Sequence, residues 1–387
     1  MKGKRSGTCA LAKGRNGFSY PDCSRLGGIG RSDRIEGRCA PGGGGWSGTR
    51  HTTGSRCALA LCRSGREDFT EHRSVTSLIV QALASPLFVF LLRPFFAKSA
   101  AGGSLSVVFA VFATHALLDA FTIYGTQLLW PLSRHPFGTG SVFIIDPVYT
   151  MPLLVATLVA FFRRHLTAKL YRATWAALLF GCAYLGWGLV AQAMMQARAE
   201  RHLAGVGIEA ERLLATPMPF STLLWRVIAI DGRDYFNLYL PVFGGPDSGT
   251  LYRHERLALA ASCLDGMSSF TTLARFTKGF YRTTFDGEVL RMADIRMGVT
   301  PDYVFDFVIG KTGTDGIEAV RPERVASQRR RDGDIAWLFA GIVGQMHERP
   351  AERRSLVVDF SSHGSTERAR MAMQTGKTTS GQASCAG

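Results

Sequence analysis

The sequence predicts a multi-pass α-helical membrane bundle of about four hydrophobic helices, followed by an extramembrane α+β domain with antiparallel strands. Three observations predict it. Four apolar stretches crowd into residues 78–195, which is hard to reconcile with a soluble fold. After residue 216 the pattern changes to β-rich runs separated by Asp-Gly turns. The chain of 387 residues is 46% hydrophobic, which excludes a wholly disordered polymer.

Residues 1–67 come first and read as a disordered or mistranslated leader. They hold 13 Lys+Arg against 4 Asp+Glu, and so supply +9 of the net charge of +15. They also carry 15 of the 43 glycines and 5 of the 8 cysteines, with no periodic run long enough to build a core. A basic segment suggests a nucleic-acid arm, yet aromatics are sparse and the arginines are not clustered, so no nucleic-acid partner is expected. No apolar run follows the basic start, which argues against a secretory signal. The cysteines lack the C-x-x-C spacing of a zinc knuckle or redox pair.

Residues 68–196 form the expected membrane section. Leu78 to Phe96 is apolar except for Gln81, Ser85, the prolines and Arg93. Its length is close to the ~20 residues that span hydrocarbon. Further apolar stretches run from Leu105 to Tyr124, from Val142 to Phe162 and from Ala173 to Met195. Short connections force consecutive helices to alternate direction. His72, just ahead of the first helix, His115 and Asp119 in the last third of the second, and Asp146 at the start of the third therefore fall toward one side of the bundle. His115, Asp119 and Thr122 are spaced i, i+4, i+7, which puts imidazole, carboxylate and hydroxyl on one helical face.

Imidazole and carboxylate together suit a divalent metal, zinc above all, and an open coordination position brings the pKa of bound water toward ~7. Ionisable groups within a span are functional candidates by default. Each also has a plainer reading. Asp146-Pro147 is a natural helix N-cap followed by proline at the first helical position. His115 with Asp119 can be a packing pair, and His72 an ordinary interfacial residue.

At these positions the chain resembles the bacterial family of inner-membrane-associated metal-dependent hydrolases, also described as LexA-binding. The residues that carry the resemblance are His72-Arg73-Ser74-Val75-Thr76-Ser77, then Thr114-His115-Ala116-Leu117-Leu118-Asp119, Thr122-Ile123-Tyr124-Gly125-Thr126-Gln127 and Ile145-Asp146-Pro147. The match in order and spacing covers residues 71–152, with weaker landmarks at Leu224-Trp225-Arg226 and Asp294-Ile295-Arg296-Met297-Gly298. The resemblance implies His72, His115 and Asp119 as metal ligands, with Asp146 beside them as a further ligand or catalytic carboxylate. It implies hydrolysis by a metal-activated water and a LexA-like protein partner. Two features depart from the family pattern. The second histidine of its opening motif is missing, because Thr76 is followed directly by Ser77, and its upstream apolar helix and P-D-x-D motif have no counterpart here.

Residues 197–362 are expected to form the extramembrane domain. Leu223 to Ile230 and Tyr235 to Val242 flank Asp231-Gly232 as a hairpin; a second Asp-Gly turn stands at Asp286-Gly287. Leu257 to Cys263 and Ser268 to Lys278 read as helices, and Asp302 to Ile309 alternates as a strand. Asp294 and Arg296 are the candidate catalytic residues of this part; their plainer reading is an ion pair at a strand edge. Residues 363–387 read as a disordered tail.

Basic residues favour one set of loops: Lys98, Arg163, Arg164, Lys169 and Arg172, with Arg93 at a helix end. Positive-inside counting makes that side cytoplasmic and puts the site and the α+β domain across the membrane from it. The function expected is hydrolysis of a lipid- or envelope-derived ester or phosphoester at the bacterial inner membrane, with membrane lipids as neighbours. The alternative is a non-enzymatic, membrane-anchored interaction or regulatory protein with a vestigial metal site.

Overall fold

A computed structural model describes residues 12–13, 19–20 and 77–367, except for gaps at 96–100, 134, 164–166, 246, 258–263, 265–266, 314–315, 326–332 and 361–365. His72, the predicted helix at 257–263 except for Leu257, most of the leader and nearly all of the tail lie outside the described residues. The chain divides into two units, 1–55 and 56–387. In the first, β1 (Ala12–Lys13) pairs antiparallel with β2 (Ser19–Tyr20).

The second unit opens with four helices: α1 (Leu78–Leu91), α2 (Ala101–Phe121), α3 (Pro147–Arg163) and α4 (Ala168–Gly205). Their starts follow local chemistry. Ser77 caps α1 by accepting from the Ile79 N–H at 3.3 Å, and Thr167 caps α4 by accepting from the Leu170 N–H at 3.2 Å. Among the described residues, α2 and α4 are long and apolar enough to cross a membrane. α1 and α3, with 14 and 17 residues, extend only ~21 and ~25 Å against a hydrocarbon core of ~30 Å. Hydrophobic side chains stand outward on all four, among them Leu83, Val111, Phe161 and Leu179. A soluble protein would not leave four such faces in water.

The fourth apolar stretch and the polar residues that follow it are one element. Nothing between Met195 and Gly205 breaks the helix, so α4 runs 38 residues, or ~57 Å, through residue 196 without interruption. Its far half packs on a sheet: Ala191, Met195, Ala199 and Leu203, four residues apart, are buried against Trp225, Val227, Leu238 and Leu251.

That sheet has five antiparallel strands in the order β13-β6-β5-β4-β3: β3 (Arg212–Pro217), β4 (Leu224–Asp231), β5 (Asp234–Pro241), β6 (Thr250–Glu255) and β13 (Leu356–Asp359). Asp231 pairs with Asp234, leaving a two-residue loop at the predicted turn; Gly232, with φ 57°, fills its first position, which type II′ turns reserve for glycine. Along α4 the sheet partner changes in steps. Gln192 bonds to Ala215 O in β3, Arg198 to Pro241 O at the end of β5, and the His202 ring meets Phe360 beyond β13. The helix therefore crosses the sheet from its β3 edge to its β13 edge.

The second sheet has the order β12-β11-β8-β7, from β7 (Tyr281–Phe285), β8 (Val289–Asp294), β11 (Asp306–Gly313) and β12 (Gly316–Arg324), with α5 (Ser268–Phe276) packed against it. The strand expected over 302–309 is split: β10 (Asp302–Tyr303) turns back to pair with β9 (Gly298–Val299), and β11 begins at Asp306. α6 (Asp334–Ile342) lies on the face of the five-stranded sheet opposite α4, with Trp337 and Leu338 against Leu224 and Tyr239. Helices thus cover both faces of that sheet.

Candidate functional site

His115 and Asp119 stand one turn apart on α2, and Nε2 approaches Oδ2 to 3.7 Å. Both side chains are exposed, at 66% and 37%, whereas Ala116 beside them is wholly buried. The pair therefore flanks the packed stripe of α2 and does not belong to it. Two donors bound ~2.1 Å from one tetrahedral ion stand ~3.4 Å apart, so this imidazole and carboxylate fit two positions of a divalent metal. No group of three or more His, Cys, Asp and Glu converges among the described residues. Thr122 does not join the pair; its hydroxyl donates to Asp119 O at 2.7 Å and closes the end of α2.

The chain enters α1 beside the end of α2, as antiparallel threading requires. Ser77 is wholly buried, its hydroxyl donates to Trp130 O at 2.5 Å, and the Leu78 N–H donates to Leu128 O at 3.0 Å. Four residues separate His72 from this anchor.

The Thr122–Gln127 segment after Asp119 has a folding role of its own. Gly125 has φ 75°, and an added Cβ would meet Phe137 O at 3.0 Å. That close approach lets Thr126 and Phe137 exchange backbone hydrogen bonds of 2.6 and 2.8 Å, pinning the α2–α3 connection back on itself. Asp146 shows its capping role. Oδ1 accepts from the Val148 and Tyr149 N–H groups at 2.9 and 3.4 Å, and Oδ2 accepts from the Tyr184 hydroxyl at 2.7 Å. Thr222 in turn donates to Tyr184 at 3.0 Å, so one carboxylate ties α3 to α4 and α4 to the β3–β4 connection.

Asp294 and Arg296 form a buried ion pair at the end of β8, with side chains 1% and 4% exposed and Nη2–Oδ2 at 2.6 Å. The sequence placed such a pair at a surface edge. Burial in a continuous core, where Arg296 also donates to Phe276 O at 3.0 Å, makes it an internal brace. Arg296 lines a cavity of about 300 Å³ between the α2–α3 connection and the β part. Its walls are largely apolar: Ile123, Val142 and Phe143 on one side, Met218 and Val299 on the other. Arg226 is the second cation on the wall.

A buried polar cluster went unread in the sequence. Glu352, wholly buried, accepts four hydrogen bonds: from Asn237 Nδ2 (2.6 Å) and His254 Nε2 (2.7 Å) at Oε1, and from Tyr239 (2.6 Å) and Arg349 (2.7 Å) at Oε2. Burial alone would raise this carboxyl, but the His254 hydrogen bond and the Arg349 charge outweigh it and hold the pKa at about 2. An ionised carboxylate only accepts, so His254 Nε2 carries the proton. Arg349 spans Glu352 and Asp334, each at 2.7 Å. Tyr239 is pushed well up by burial and by the Glu352 charge. Asn237 then passes the network on to Arg226, whose Nε donates to Asn237 Oδ1 at 3.1 Å. The signal available was small: Tyr235, Asn237 and Tyr239 alternate on one face of a strand, and Arg349 precedes Glu352 by three residues.

Residues 45–195, less than half of the chain, match the model of the YdjM inner membrane protein family. The matched span contains all four helices up to the point where α4 leaves for the sheet. No curated protein and no solved structure matches the chain. The membrane section is thus similar to a bacterial inner membrane protein family, in keeping with its two span-length apolar helices.

Proposed function

We propose that the protein is a multi-pass inner-membrane metal-dependent hydrolase acting on a lipid- or envelope-derived ester or phosphoester. The observation that carries this reading is the His115–Asp119 pair, held 3.7 Å apart on an exposed helical face. These two residues, with His72 from the segment before α1, would hold a divalent metal, for which zinc is the best chemical match. Such a metal supplies an acidified water for hydrolysis. The chain's own part is to fix the pair by the rigid i, i+4 geometry of α2 and to brace the neighbouring α2–α3 connection through Asp146 and Tyr184. α1 pairs with α2 and α3 with α4, which supports a four-helix bundle in which the shorter helices complete the membrane section.

Metal analysis of the full chain purified in detergent tests this. We expect near-stoichiometric zinc, falling at least about tenfold in His115→Ala and in Asp119→Ala. Metal content unchanged by either substitution, or absent from the unsubstituted chain, would overturn it. A specific observation favours the non-enzymatic reading, a membrane-anchored interaction protein with a LexA-like partner. Both oxygens of Asp146, and both of Asp294, already serve structural bonds.

A further inference from the structure

We propose that the cavity between the α2–α3 connection and the β part binds an amphiphile with an anionic head, its chain against the apolar wall and its head against Arg226. The cavity, at about 300 Å³, falls within the size range of small-ligand sites. Its chemistry is two-sided. Ile123, Val142, Phe143, Met218 and Val299 offer nothing but apolar surface. The opposite wall holds two guanidinium groups, one with a carboxylate partner and one without. Arg296 is neutralised by Asp294 through contacts of 2.6 to 3.2 Å. Arg226 has no carboxylate partner among the described residues. It donates to Ile295 O at 2.5 Å, to Gly298 O and to Asn237 Oδ1, all of them neutral acceptors.

Arg226 is 2% exposed, and a buried cation satisfied only by neutral dipoles remains short of counter-charge. The nearest carboxylate in its network, Glu352, is one residue removed through Asn237 and is already held by Arg349 and His254. A carboxylate or phosphate in the cavity would supply that counter-charge. The place explains the apolar half of the ligand. Ile144 and Ile145, exposed at 57% and 63%, line the cavity at the point where α3 begins, so the wall is continuous with the apolar surface of the helices. A molecule leaving a bilayer with its head foremost would meet the guanidinium with its chain still in apolar surroundings. The site rests on the membrane reading of α2 and α4 and does not need the metal.

The test uses the full chain in detergent and a fluorescent C12 fatty acid as probe, with its methyl ester as the uncharged control. We expect saturable one-to-one binding of the acid, weaker binding of the ester by roughly tenfold or more, and displacement of the acid by dodecyl phosphate. Arg226→Gln keeps hydrogen-bonding capacity and removes the charge, and should bring the acid down to the affinity of the ester. Because Arg226 is buried, Ile145→Trp provides an independent check: it fills the cavity from an exposed position and should abolish binding while circular dichroism stays unchanged. Equal binding of acid and ester, no saturable binding, or full binding in Ile145→Trp would each overturn the proposal. Nanodiscs with and without phosphatidylglycerol, each titrated with the acid, separate the two sources of an anionic head; competition by the phospholipid assigns the site to bilayer lipid, and its absence assigns it to a free fatty acid. Zinc content measured on the same samples reports separately on the hydrolase reading, and fractionation of untreated membranes reports on the membrane reading.

Discussion

At the scale of single residues, Glu352 is the side chain with most at stake. Its carboxyl titrates at about 2 in the folded chain against an ordinary value of 4.5. A depressed folded pKa means that its contribution to stability is complete above about pH 4.5 and drains away as pH falls toward 2. Thermal melts of the detergent-solubilised chain followed by circular dichroism should show this loss between those values, and Glu352→Gln should flatten it. Removing the carboxylate altogether leaves Arg349 buried without its closest partner, so Glu352→Ala should cost about 3–5 kcal/mol. Asp146 makes the opposite point about legibility. Its capping role could be read from Asp-Pro ahead of an apolar run, because a cap is local. Glu352 could not be read at all: its partners Asn237, Tyr239 and His254 lie about a hundred residues away, and no pattern in a sequence window joins them.

At the scale of elements, periodicity and turn chemistry located the four helices and the two Asp-Gly hairpins, because each depends on near neighbours. What they left out was how far α4 continues. The apolar signal ends at Met195, yet the helix persists because its buried stripe, which already meets the sheet at Ala191, continues through Ala199 and Leu203 without changing period. Small residues mark the tight places on that stripe. A Cβ at Gly188 would meet Ser141 O at 2.8 Å and Val142 Cγ2 at 3.1 Å, whereas one at Gly186 would meet nothing within 4 Å. Gly188→Ala should therefore destabilise by about 1–3 kcal/mol, and Gly186→Ala should be neutral or stabilise by up to ~1 kcal/mol. Melting temperatures of the two variants, measured side by side, check the difference. β3, β6, β13 and α6 were not legible: β3 and β6 have six residues each and no clear alternation, and β13 and α6 find partners about a hundred residues away.

At the scale of the whole molecule, helix-then-sheet order was readable from the shift in composition near residue 216. Gln192 of α4 bonds both Thr139 O in the α2–α3 connection and Ala215 O in β3, which predicts that residues 122–146 and the β part share one face of the membrane, with α3 returning the chain to the start of α4. Cysteines placed at Ser133 and Gly232, in a Cys-free background, should react with an impermeant thiol reagent from the same side. One at Lys169 should react from the other. Labelling of Ser133 and Gly232 positions from opposite sides would mean that α3 and α4 do not both span. The candidate metal pair was legible because i, i+4 spacing is a property of one helix. The cavity was not, because its walls come from four separate segments.

The length and continuity of α4 carry one more consequence. A straight helix rooted in lipid at one end and bonded across five strands at the other acts as a lever with its fulcrum near Gly188. About 17 residues, or ~26 Å, lie beyond that fulcrum, so a change in tilt of ~10°, well within what helices adopt to match bilayer thickness, would swing the far end by ~4–5 Å. The sheet rides on that arm, whereas the α2–α3 connection stays with the fulcrum. A change in bilayer thickness that tilted α4 would therefore alter the gap between them.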